Sequence, residues 1–197
     1  SSPTLTRPPL FLMLTMLLGP RDRFRKKHPD HPFNLSMATL GSGLLWIANL
    51  GMNGGSALGS TEYAVRGVLN TQLSMCAAVL TWFILERIWL GHGTITSFMS
   101  GGLAGAASAA SFCGYTNSWW AVLNGILVGL MCYICSQFKY KFRYDDQVDL
   151  FGLHAVGGLV GSITCGVYEI FHEKNSGALG RQFVGIAIVI LWSAIMT

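Results

Sequence analysis

The chain has 197 residues, of which 51% are hydrophobic and 11% charged, with a formal net charge of +4. Ordinary soluble domains carry about 25% charged residues, so this composition excludes a water-soluble globular domain and points to an all-α membrane protein whose solvent is the lipid bilayer. The positive charge is clustered at Arg21, Arg23, Arg25, Lys26 and Lys27 and again at Lys139, Lys141 and Arg143; between apolar runs such clusters report topology, and no nucleic-acid partner is expected.

Ser1 is not a methionine, and no basic stretch, apolar run and cleavage site follow in signal-peptide order, so the start is not expected to be a native one. Residues 8–20 are uncharged but too few to cross a bilayer, and they read as the back half of a span. Pro32 to Thr61 then runs thirty residues without a charge, a first full span with a glycine-rich exit at residues 51–55. Gly67 to Leu85 supplies a second, closed by Glu86 and Arg87. Ile88 to Phe138 holds fifty-one residues without Asp, Glu, Lys or Arg, and the breaks at residues 91–93 and 113–118 divide it into a third and a fourth. Leu150 to Tyr168 is the fifth, and Gln182 to Thr197 begins a sixth. Alternating sides puts nine Lys or Arg in the loops at 19–34, 86–94 and 139–149 and four on the other face, which makes the richer side cytoplasmic. The glycosylation triplet at Asn34 falls on that side and is expected to be unused.

The five cysteines give no disulfide framework, and Cys132 and Cys135, though spaced as C-x-x-C, lie inside a lipid-length helix with no second pair, so no metal is expected. The informative stretch is residues 145–161, which puts His154 into an apolar run entered through Asp145, Asp146 and Asp149. On a regular helix His154 shares a face with Gly157, Gly158 and Gly161, the side where another helix can come close, and so should point into the bundle. A charged residue at membrane depth costs about 2.5 to 3.5 kcal/mol, and a neutral imidazole less, which favours a place on a substrate or proton path over a hydrogen-bonded core role. For the acids, capping the helix N-terminus is the simpler role.

The run Asp145-Asp146-x-x-Asp149-x-Phe151-Gly152-x-His154-x-Val156-Gly157-Gly158 resembles the tenth-helix signature of the ammonium transporter family (Amt/Mep/Rh). Asn53-Gly54-Gly55-Ser56-Ala57 is similar to the end of that family's sixth helix, residues 101–105 and 113–115 to its eighth helix and exit, and residues 19–21 to the stretch after its fifth. The resemblance covers about residues 17 to 197. It implies a homotrimer of eleven-helix subunits, each an inverted repeat around one pore, in the plasma membrane. The chain would be one incomplete membrane domain, the second repeat with the tail of helix five and part of helix eleven. It further implies that His154 is a pore histidine, that Ser56 helps recruit the ammonium cation at an outer site, and that Asp149 opens helix ten. Met52 stands where many members carry a gate phenylalanine, Asn49 where they carry tryptophan, and Ala110-Ser111 where a Thr-Pro turn is common. The first pore histidine would fall near Thr4 and is not there.

The leading expectation is therefore a conduit for ammonium or ammonia, working as part of a larger chain and without a cofactor. An ammonium sensor or scaffold without net flux, or an inactive fragment, are the alternatives. No nucleophile with a base at useful spacing and no phosphate-binding glycine loop stand out, so an enzyme is not expected.

Overall fold

A computed structural model describes residues 34–142, 149, 151–174 and 177–195. The expectations that fall on residues 1–33, on Asp145 and Asp146, and on the last two residues lie outside these. The described residues form helices throughout: α1 Leu35–Gly55, α2 Glu62–Leu90, α3 Ile95–Ala109, α4 Ser118–Phe142, a π turn Phe151–Ala155 that runs into α5 Val156–Glu173, and α6 Ala178–Ile195.

Each boundary has a local cause. At the start of α1 the Asn34 side chain accepts a hydrogen bond from the Met37 N–H at 3.1 Å, so the amide that could have taken a glycan serves as the N-cap instead. Thr94 caps α3 in the same way through Ser97. Gly91 ends α2 with φ 79°, a left-handed cap that costs glycine little. The glycines at residues 51–55, read in sequence as an exit, belong to the last turns of α1.

Among the described residues, four helical segments are long and apolar enough to cross a membrane: Leu35–Gly55, Glu62–Leu90, Ser118–Phe138 and Phe151–His172. The sequence led to five complete spans, and the third falls short: α3 has 15 residues, about 22 Å at 1.5 Å per residue, against a hydrocarbon core of roughly 30 Å. Hydrogen-bonded turns from Ala110 to Thr116 prolong it, with Cys113 N–H donating to Ala109 O at 2.9 Å and Thr116 N–H to Phe112 O at 3.2 Å. Phe112 and Cys113 stay buried there.

The long α2 is the centre, packed most extensively against α3 and α4. Small residues allow it: a Cβ on Gly105 would lie 2.6 Å from the Met75 Cα, and one on Gly129 would lie 2.9 Å from the Ala78 carbonyl oxygen. With no hydrophobic drive between helices in lipid, this dispersion-rich contact does the work that water exclusion does elsewhere. On one flank α1 is tied down by Trp46, whose Nε1 donates to Gln72 Oε1 at 2.8 Å and whose ring stacks on Phe98 at 5.4 Å. On the other flank α5 packs on α3 and α4 and is accompanied by α6. Two apolar clusters fill the interior, one around Trp82, Val128, Tyr133 and Leu153, the other around Phe112, Ala121 and Cys165. The outer surface is apolar too: Leu44, Ile47, Val65, Ile88, Ile188 and Trp192 are all exposed by more than half. In water such a surface would be an aggregation liability, and in lipid it is a matched solvent.

Candidate functional site

Consecutive helices run antiparallel, which sorts the candidate residues onto two ends of the bundle. The end of α1 and the start of α2 meet where Gly54 lies against Val68, and Tyr63 faces Tyr115 there at 6.1 Å. The start of α4 and the end of α5 join the same end, through Trp120 edge-on to Tyr168 at 5.7 Å. Met52 and Ser56 belong to this end. Ser56 caps α1; its N–H donates to Met52 O at 3.0 Å and its Oγ to the same oxygen at 2.7 Å. Both side chains are exposed, one helical turn apart. Just inside them Asn53 is buried and donates from Nδ2 to Thr71 Oγ1 at 3.0 Å.

His154 and Asp149 lie toward the other end, near the junction where Trp89 stacks on Tyr133 at 5.5 Å and Leu153 is packed beside Trp82 and Tyr133. The chain therefore does not bring Ser56 and His154 together: Ser56 lies at one end of the bundle, and His154 lies inside it, toward the other end. Asp149 is half-buried with φ 49°, in the left-handed region that short polar residues tolerate best, and its carbonyl accepts the Leu153 N–H at 2.7 Å. Its carbonyl is thus bonded to the π turn that begins two residues later.

The histidine departs from the regular-helix expectation in one respect. It sits in a π turn, whose extra residue per turn offsets its direction from the face set by the α-helical residues that follow. Those residues behave as the spacing predicts: Gly157 and Gly161 are buried against α3, and a Cβ at Gly161 would run into the Ser108 carbonyl. His154 itself is half-buried, while its neighbours Leu153 and Ala155 point deeper. A single wide turn of this kind is unusual in helices and concentrates at functional positions.

Sequence reasoning passed over a buried acid. Glu86, 8% exposed, accepts hydrogen bonds from the Thr94 N–H at 2.9 Å, from Thr94 Oγ1 at 3.0 Å and from Ser97 Oγ. Its charge faces the N-terminus of α3, where the helix dipole favours an anion. The sequence signal was there, a Glu eight residues before a Thr-x-x-Ser cap across a Gly-His-Gly turn. Also missed were the buried amides Asn70 and Asn124. Asn70 Nδ2 donates to Cys113 O and Thr116 O, both at 2.8 Å, holding the prolonged end of α3 to α2. Among the described residues no cluster of His, Cys, Asp or Glu suited to a metal ion occurs.

Comparison with known proteins matches residues 10–197 to the Ammonium Transporter Family. An ammonium transporter of Aquifex aeolicus is 34% identical over 84% of this chain and 41% of its own length. One of Mycobacterium tuberculosis H37Rv is 31% identical over 94% of this chain and 42% of its own. Among solved structures, Saccharomyces cerevisiae Mep2 superposes with a TM-score of 0.88 at 26% identity, over 98% of this chain and 47% of that one. A protein described as a sensor Amt protein superposes with a TM-score of 0.83 at 25% identity, over 94% and 49%. The chain thus spans less than half the length of these relatives. With its apolar multi-pass helices and this match along nearly all its length, the chain is a multi-pass membrane protein that belongs to the ammonium transporter family.

Proposed function

We propose that the chain forms one half of a pathway for ammonium or ammonia across a membrane, the plasma membrane being the usual place for such a protein. In this reading α1 to α6 correspond to helices six to eleven of the family fold, and the chain is a single membrane domain built on the second of two inverted repeats. The observation that carries it is family membership over residues 10–197, and His154 in its π turn gives that membership a chemical centre.

The chemistry is consistent. Ammonium must lose its water, and most cheaply its proton, to pass an apolar constriction. A neutral imidazole both donates and accepts hydrogen bonds and can take up a proton near neutral pH, so His154 can serve such a passage. A potassium ion has no proton to leave behind, so obligatory deprotonation discriminates against it. Ser56, at the α1–α2 end of the bundle, would receive the hydrated cation; Met52 beside it would line the entrance, and Asp149 would hold the turn that presents His154. The partners are ammonium or ammonia, lipid, the remaining half of the subunit and, in the assembled protein, two further subunits.

A second reading, an ammonium sensor without net flux, is supported by the likeness to the sensor Amt protein. Flux separates the two. In cells with no other ammonium uptake, the chain co-expressed with the amino-terminal half of the Aquifex aeolicus relative should support uptake. His154→Ala should cut that uptake by about tenfold or more, equivalent to ~1.4 kcal/mol per decade in barrier, with assembly intact. Wild-type uptake and wild-type discrimination against potassium in His154→Ala would return the histidine to a core role. Ammonium binding with no flux in the unsubstituted pair would favour the sensor.

A further inference from the structure

Three polar side chains on three helices meet in the interior, away from both ends of the proposed pathway. Ser108 of α3 and Asn124 of α4 are fully buried, and Thr164 of α5 is 7% exposed. The Ser108 hydroxyl donates to Asn124 Oδ1, and Asn124 Nδ2 donates to Thr164 Oγ1 at 2.9 Å. The three groups are buried and are bonded to one another across three helices.

Its neighbourhood explains what it can do. The face that α5 presents to α3 is almost featureless: Gly157 lies against the Ala104 carbonyl and the Ala107 methyl, and Gly161 against the Ser108 backbone. Smooth faces permit close approach but resist sliding weakly, because no side chain on one helix locks into a hole on the other. Hydrogen bonds are directional and fail within a fraction of an ångström, so a buried polar contact specifies register where packing does not. His154 itself sits in the π turn with which this helix begins, and an i→i+5 turn does not continue the α-helical ladder. Thr164 lies ten residues beyond His154 on the same helix, about 15 Å along its axis, and a slip of one turn would displace the histidine by roughly 5.4 Å.

We propose that Asn124, through Ser108 and Thr164, is a positioning residue that sets the axial register of α5 and with it the height of His154 in the bundle. The functional part of this proposal rests on the reading of His154 as a pathway residue; the register part does not.

The test uses a cross-link as a ruler. A Cβ at Gly157 would lie 3.3 Å from the Ala107 Cβ, close to disulfide reach, so the Ala107→Cys/Gly157→Cys pair in the full chain reports α5 against α3. Asn53→Cys/Thr71→Cys, whose side chains already meet at 3.0 Å, bridged by a short bifunctional thiol reagent, reports α1 against α2 as a control. Asn124→Leu and Thr164→Val should slow the first cross-link several-fold and leave the second unchanged, since the freed hydroxyls of Ser108 and Thr164 can turn to carbonyls of their own helices. Thr164→Ser, which keeps the hydroxyl, should restore the first. In the co-expression uptake assay, Asn124→Leu should lower the ratio of ammonium to potassium uptake and Thr164→Ser should not. An unchanged first cross-link overturns the register claim, and loss of both cross-links reduces Asn124 to a general packing residue. A slipped register with unaltered selectivity overturns the positioning role. Because the cross-links are read without transport, failure of the pathway reading is distinguishable from failure of the register claim.

Discussion

A methyl group added at position 161 meets the Ser108 carbonyl, while one added at Gly180 meets open space. Gly161→Ala should therefore lower the thermal midpoint of the purified chain, by about 1 to 3 kcal/mol in stability, and Gly180→Ala should leave it unchanged or raise it. Equal midpoints for the two variants would mean that α5 does not approach α3 as closely as described. The glycine face was legible in the sequence because its residues fall at three- and four-residue spacings inside regular α-helix. The direction of His154 was not, because a π turn adds a residue without any compositional mark, and the spacing argument assumed an unbroken helix. Asn124, Ser108 and Thr164 escaped because only ionisable side chains were weighed at membrane depth. The same cost argument applies, at smaller magnitude, to a buried amide or hydroxyl.

At the scale of elements, apolar run length anticipated each helix among the described residues, but it misjudged the length of the third. What ends α3 at Ala109 is a string of turns rather than a polar loop, and turns built from Ala, Ser, Phe and Cys look apolar to any length count. Glu86 supplies the rigid start of that short helix. Glu86→Gln keeps the shape and removes the charge, and should cost about 1 to 2 kcal/mol, read as a lowered thermal midpoint, from weakened bonds to Thr94 and Ser97 and a lost helix-end charge. No change would show that the carboxylate matters only as a filler. The two ends of α3 also give the orientation test. His92→Cys precedes the helix and Asn117→Cys follows its turns, and both positions are exposed. With the basic loops cytoplasmic, an impermeant thiol reagent added to intact cells should label position 117 and spare position 92, and the reverse pattern would invert the topology.

At the scale of the whole molecule, the proposed function makes this chain one half of a pathway. Residues quoted for the resemblance, from Asn53 and Ser56 to His154, sit on a fold that superposes on Mep2, yet Ser56 at the end of α1 and His154 in the π turn before α5 do not meet. A pathway between inverted repeats takes its walls from both, and the matched relatives are more than twice the length of the stretch shared. Two copies of this chain could supply two repeats only by inserting in opposite orientations, which the nine-to-four bias of Lys and Arg opposes. The most direct measurement is ammonium uptake in cells lacking any other uptake, with residues 1–197 expressed alone and then together with an amino-terminal half from a relative. The account predicts no uptake from the chain alone and saturable, potassium-insensitive uptake from the pair; saturable, potassium-insensitive uptake by the chain alone would contradict it.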